Sequence, residues 1–164
     1  MKIVWDLDGV LRDLSGYVAR INKCKYPSKW EELYNGKTLF QCIDENLNIL
    51  LLAPPTAYIT IVKKHFKWIE IWTCQPEHWR EYTSQWIDLK FNGIKTSVYF
   101  LTTKEKEERI RSRDDVILIE DSPKFENYDR IFLIDRTYNQ NIKGCLRIFG
   151  PKHLNNVIEI VKEM

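Results

Sequence analysis

The chain predicts an α/β fold built on a doubly wound parallel sheet. Three observations carry that prediction. Short, continuous β-branched runs recur along the chain, which suits strands covered on both faces. Helix-patterned stretches separate those runs. Acidic and hydroxyl residues follow several of the runs directly, where open α/β sheets bind their ligands.

The elements follow in order. Residues 2–7 predict the first strand, 68–73 the second and 97–101 the third. Residues 116–120 (Val-Ile-Leu-Ile-Glu) form the clearest run, with further strands at 130–134 and 145–149. A helix over 54–66 opens on two prolines, tolerated in a first turn. A helix over 77–91 sets Trp79, Tyr82, Trp86 and Leu89 at spacings of three and four, one apolar stripe. Shorter helices are expected over 104–113, which is highly charged, and over 152–162.

The stretch from about 14 to 52 breaks the alternation and is too long for a simple βα loop. It holds Tyr17, Tyr26, Trp30, Tyr34 and Phe40 among many polar residues. A small helical insertion beside the sheet is expected. The chain therefore reads as one domain over 1–164, with a core of about 1–13 and 53–164 and an insertion of about 14–52.

The 164 residues suit one domain, and a hydrophobic share of 44% supports a real core at that length. A net charge of +2 argues against a general nucleic-acid or membrane surface and leaves room for a local basic site. Cys24, Cys42, Cys74 and Cys145 show no C-x-x-C spacing, so neither a zinc site nor a redox motif is supported. They read as free thiols of a reducing compartment. Lys2 to Trp5 has the character of a strand rather than a signal peptide. The longest apolar stretch, 49–55, is too short to cross a bilayer. A cytoplasmic protein without a membrane partner is expected.

The chemistry starts at the end of the first strand. Asp6 and Asp8 follow an apolar run and precede Gly9. Two carboxylates two residues apart share one side of a strand, and crowding them costs energy unless a cation or a proton intervenes. Magnesium favours such hard oxygen ligands. An ordinary Asp-Gly turn would use the same residues.

Asp6-Leu7-Asp8-Gly9-Val10-Leu11-Arg12-Asp13 resembles the first motif of the haloacid dehalogenase (HAD) superfamily, D-x-D-G-[VT]. Three more signals of that superfamily follow in order. Ile69 to Thr73 is a strand ending in Thr, where the hydroxyl and the N–H groups of Cys74 and Gln75 suit phosphate oxygens. Lys104, after Phe100 to Thr103, resembles the motif lysine. It is favoured over Lys106 by its nearness to the strand end. Val116 to Ser122 ends a strand in Glu120-Asp121 and resembles the acidic fourth motif. The likeness covers about residues 2 to 135.

The resemblance implies a HAD-like, Rossmannoid core with a small C1 cap in residues 14–52. It also implies a Mg2+-dependent phosphomonoester hydrolase. Asp6 would be the nucleophile that forms an aspartyl-phosphate, and Asp8 the general acid and base. Asp6, Asp121 and the Asp8 backbone carbonyl would hold the metal, with Glu120 orienting ligands or binding through water. Thr73, Cys74 and Lys104 would bind phosphate.

The aromatic cap, the Asp-Gly-Val form of motif one and the segment Ile134 to Asn139 resemble the 5′(3′)-deoxyribonucleotidase group. That segment is similar to the group's D-R-P-[YW]-N, with Thr137 in place of Pro, and no catalytic role is assigned to it. A nucleoside monophosphate is the expected substrate, with Tyr17, Trp30, Tyr34 and Phe40 as candidates to stack its base. Other readings are a polynucleotide 3′-phosphatase, which the near-neutral charge disfavours, a sugar or other small-metabolite phosphatase, and a non-catalytic HAD-like binding module.

Overall fold

A computed structural model of the chain describes residues 1–163. Six strands form one all-parallel sheet: β1 (Lys2–Trp5), β2 (Trp68–Thr73), β3 (Lys95–Phe100), β4 (Val116–Glu120), β5 (Ile131–Ile134) and β6 (Leu146–Ile148). Their order across the sheet is β3-β2-β1-β4-β5-β6. The chain therefore winds outward from β1 in one direction through β3, then returns and winds the other way. The reversal lies between β1 and β4, where a crevice opens beyond the carboxyl ends of the strands.

Alternation along each strand sends side chains to two apolar layers. Ile3, Trp5, Ile69, Ile71, Ile117 and Ile119 face one layer. Helices α4 (Tyr58–His65), α5 (Arg80–Lys90) and α7 (Pro151–Glu163) cover that face with Ile59 and Val62, Trp86 and Ile87, and Leu154 and Ile158. Val4, Trp72, Val116, Leu118, Ile131 and Leu133 face the other, where α6 (Thr103–Ser112) contributes Ile110. Burial on both faces explains the unbroken apolar runs of β1, β4 and β5.

Residues 14–52 carry α1 (Leu14–Ile21), α2 (Leu39–Glu45) and α3 (Ile49–Leu52). Leu14, Val18, Ile43, Ile49 and Leu50 make a third apolar cluster, which Trp79 joins from the single 3-10 turn Glu77–Trp79 before α5. The side chain of Asp13 caps α1 by accepting from the Gly16 N–H. Thr38 and Gln41 form a reciprocal capping box on α2. The insertion leaves and rejoins the core at one point. The Asp13 N–H bonds the Pro54 carbonyl at 2.9 Å, and the Thr56 N–H bonds the Leu11 carbonyl at 2.9 Å.

Several elements differ from the sequence expectation, each for a physical reason. The helix expected over 54–66 starts at Tyr58. Pro54 precedes a second proline, which disfavours the helical region, and Pro55 instead bridges Arg12 in an extended segment. Leu89 is 70% exposed and lies off the buried stripe of α5, which runs through Thr83, Trp86 and Ile87. Trp79 belongs to the preceding 3-10 turn, so its phase does not extend α5. β3 begins two residues early, at Lys95, because an edge strand needs only one partner and leaves side chains half-exposed. Among the described residues no helix is long and apolar enough to cross a membrane.

Candidate active site

The Asp6 N–H bonds the Ile119 carbonyl at 2.8 Å, so the β1–β4 pairing continues one residue past β1 and sets Asp6 beside Glu120. The chain then turns sharply. Leu11 and Arg12 both donate to the Leu7 carbonyl, and the Gly9 N–H bonds the Arg12 carbonyl. Gly9 has φ of +85°, and a Cβ there would stand 1.8 Å from an Asp121 carboxylate oxygen. Only glycine suits both the left-handed backbone and that approach. Gly9→Ala is expected to destabilise the fold by at least about 1–2 kcal/mol and to displace Asp121. Thermal melting and calorimetric Mg2+ titration check both effects.

Asp6, Glu120 and Asp121 are all buried, and each offers an oxygen within 4.8 Å of the others. Lys106 is the cation among them. Its Nζ donates to Asp6 Oδ1 at 2.5 Å and to Glu120 Oε2 at 2.9 Å. Three carboxylates thus face one buried ammonium. Burial and the Glu120 charge push the Asp6 carboxyl up to about 8, against the opposing pull of Lys106. Burial, with Glu120 and Asp6 beside it, also raises Asp121 well above the usual carboxylate range. Burial alone would lower the Lys106 ammonium, but Asp6 and Glu120 outweigh it and hold Lys106 charged.

The two oxygens of Asp121 have different environments. Oδ2 accepts from the Tyr138 hydroxyl. Oδ1 is buried without any partner, which costs roughly 1–3 kcal/mol if it stays unsatisfied. Glu120 is fully engaged, with Lys106 on Oε2 and the N–H groups of Asp121 and Ser122 on Oε1. A hard divalent cation fits this arrangement. It would satisfy the orphaned Oδ1 and relieve the excess negative charge, with Asp6 and Asp121 as its carboxylates and Glu120 fixing their frame.

The Asp8 carboxylate does not join this cluster. It accepts two bonds from Arg12, from Nε at 2.6 Å and Nη2 at 3.1 Å, and one from Gln75 Nε2 at 2.7 Å. Only its backbone carbonyl is left as the metal-binding atom that the resemblance implies. Thr73 ends β2 with 1% exposure, and both Thr73 and Cys74 line the same cavity as Asp6.

The lysine expectation is corrected. Lys104 points to solvent, with its side chain 83% exposed and paired with Glu108, while Lys106 enters the site. The Thr102–Glu105 capping box starts α6 so that Lys106 shares a face with Ile110, four residues on. Ile110 is the one isoleucine of a charged helix, so its spacing from Lys106 was the signal available in the sequence. Lys104→Ala is expected to change stability by no more than about 0.5 kcal/mol, as surface substitutions do. Urea denaturation checks this.

A cavity of 630 Å³ runs from the acidic cluster to the insertion. Trp30, Tyr34 and Phe40 line it, and Trp30 and Phe40 keep 41% and 51% of their surface exposed. Tyr34 is buried at 5% exposure. Tyr17 packs half-buried against the insertion's own apolar cluster and is not among the lining residues. It therefore serves the insertion's packing. Phe40 rests on Trp79 with ring centroids 4.8 Å apart.

The segment after β5 holds the site together in ways its sequence did not disclose. Arg136 donates to the Gly9 carbonyl through Nη2 at 2.6 Å and Nε at 3.2 Å. Asn139 Nδ2 donates to the Asp121 and Ile134 carbonyls at 2.8 and 2.9 Å. Tyr138 bonds Asp121 and also meets Tyr26 and Trp30 of the insertion, at centroid distances of 6.1 and 5.3 Å. Arg12 and the side chain of Gln75 were likewise missed, since nothing in spacing alone marks a charged or amide side chain as buried. A scan against models of known protein families gives no match, and a search of curated proteins finds no significant relative.

Proposed function

We propose that the chain is a Mg2+-dependent phosphomonoester hydrolase of the HAD type, acting through an aspartyl-phosphate on Asp6. The observation that carries this reading is the buried set Asp6, Lys106, Glu120 and Asp121, with an unpartnered Asp121 oxygen, at the head of a cavity. A purely structural carboxylate cluster would satisfy all its oxygens. This one keeps an unpartnered acceptor and crowded carboxyls that a cation or bound protons would balance.

In the first step Asp6 attacks phosphorus, forming an acyl-phosphate bond as the ester P–O bond breaks. Asp8 gives a proton to the leaving alkoxide, then takes one from the water that hydrolyses the acyl-phosphate. Lys106 neutralises charge on Asp6 and the transferring phosphoryl group. Thr73 and the N–H groups that follow it hold the remaining oxygens. Asp6, Asp121 and the Asp8 backbone carbonyl would hold Mg2+, which when bound would supply charge neutralisation and orientation of the phosphate.

The substrate we propose is a nucleoside monophosphate, the base seated against Trp30 and Phe40. Their exposure toward the cavity supports this. Glu31 and Glu32 on the cavity wall disfavour a polynucleotide end, whose further phosphates would be repelled. A panel of deoxynucleoside 5′- and 3′-monophosphates, 3′-phosphorylated oligonucleotides and sugar phosphates, with and without Mg2+, tests the reading. Metal-dependent release from monophosphates is the expected result. Preference for the oligonucleotide would overturn the substrate. Failure on every ester by the folded protein would overturn the activity.

A further inference from the structure

Arg12 is fully buried, and the side chain it grips, Asp8, lines the cavity. Four of its five N–H donors are engaged, by Asp8, by α3 and by α5. Nε and Nη2 grip both oxygens of Asp8 at 2.6 and 3.1 Å. Nη1 donates to the Leu50 carbonyl in α3 at 2.9 Å. Nη2 also reaches the Thr83 hydroxyl in α5 at 3.2 Å, and the guanidinium carbon sits 5.4 Å from the centroid of the Trp86 ring. A planar, bidentate fork of this kind fixes the carboxylate plane as well as its distance. Gln75 Nε2 adds a second bond to Asp8 Oδ2, so Oδ1, which accepts only from Arg12 Nε, keeps a lone pair free for the proton.

A buried arginine is costly unless its partners are well placed, and a fold needing only packing here would use an apolar residue. The insertion's helix α3 contributes to the grip, so the seat of Asp8 depends on residues outside the core sheet.

We propose that Arg12 is a positioning residue that anchors the Asp8 carboxyl to α3 and α5 and so sets proton delivery to the leaving group. This rests on the phosphatase reading above. When the P–O ester bond breaks, an alkoxide must take the proton from Asp8, whereas a nitrophenolate leaves without one. Misplacing Asp8 therefore penalises alkyl esters selectively.

The test compares kcat and KM for glycerol 2-phosphate and p-nitrophenyl phosphate, with Mg2+, in the wild type, Arg12→Lys, Asp8→Asn and Asp6→Asn. Lysine keeps the charge but cannot form the fork. Arg12→Lys should lower kcat/KM, which reports the leaving-group step and not the later hydrolysis common to both esters, by about 100-fold on the alkyl ester and by less than about fivefold on the aryl ester, with the selectivity pattern of Asp8→Asn. Thr83→Val is a second variant that leaves the Asp8 contacts intact and is nearly isosteric. It should show the same bias on the order of threefold.

Equal losses of kcat/KM on both esters in Arg12→Lys and Thr83→Val would assign Arg12 to structure alone and overturn the proposal. If Arg12→Lys does not fold, Thr83→Val decides by the same criterion. Wild-type hydrolysis that survives Asp6→Asn, or no hydrolysis of either ester by the folded wild type, would overturn the phosphatase reading itself.

Discussion

Asp6→Asn is expected to abolish turnover, by about 10⁴-fold or more, while making the metal-free protein more stable by about 1–2 kcal/mol. The two effects share a cause. The Asp6 carboxyl is pushed up to about 8 by burial and by Glu120, so its charge is a burden on the folded state without a cation. The direction with pH follows from linkage. An unfolded Asp titrates at about 3.9, so between about 4 and about 8 the folded state holds a proton that the unfolded chain has released. Stability of the metal-free wild type therefore falls as pH rises through that window, and Asp6→Asn flattens the slope. Mg2+ should reverse the ranking, because a ligand at 100 times its Kd adds about 2.7 kcal/mol to the wild type. Urea denaturation at pH 5 and pH 8, in chelator and in Mg2+, measures all of this. A variant less stable than wild type in chelator at pH 8 would refute it.

Lys106→Met is expected to be the most damaging single change to the fold at this site. Lys106 is 2% exposed and is the only ammonium bonded to Asp6 and Glu120. Removing one member of a buried ion pair strands the other, at about 3–5 kcal/mol. Turnover should fall by about 10²–10³-fold in whatever protein remains folded, the usual cost of losing one oxyanion-stabilising donor. The stability loss should shrink as pH falls, since the stranded carboxyls then take up protons. Equilibrium unfolding from pH 5 to 8, set beside the near-silent Lys104→Ala, checks the assignment of the two lysines.

The contrast between those lysines shows where the sequence was legible. Strands β2 and β4 were delimited residue for residue: β4 is an unbroken apolar run up to Glu120 because both its faces are buried, and β2 is an isoleucine- and tryptophan-rich run, interrupted only by Glu70, that ends at Thr73. Asp6, Asp8, Thr73, Glu120 and Asp121 could be placed near one another because strand ends in an open parallel sheet converge on one edge. Helical phase was harder. A shift of two residues along α6 turns a side chain by about 200°, so nearness to the strand end chose Lys104 and the true register chose Lys106. Long-range polar partnerships were not legible at all. Arg12 reads as one more charge after a turn, and only the folded chain brings Leu50 and Thr83 to it. Tyr138 and Asn139 lie 17 and 18 residues from Asp121, across β5, with no periodicity to link them. The aromatics of the insertion divided in a way that composition hides, since Tyr34 is buried while Trp30 and Phe40 keep open surface.

The chain's exit into the insertion and its return to the core at one point have an evolutionary consequence. The Asp13–Pro54 and Leu11–Thr56 bonds hold the two ends together, so a segment of another length or shape can be exchanged there without re-threading the sheet. Specificity can therefore drift by replacement of one module while the acidic cluster stays constant. The exchange is not wholly free. Any replacement must again present a carbonyl to Arg12 where Leu50 does, and the junction must keep the Ala53 carbonyl that accepts from Trp86 Nε1 at 2.7 Å. Those two backbone oxygens are part of the socket that a transplanted insertion has to match.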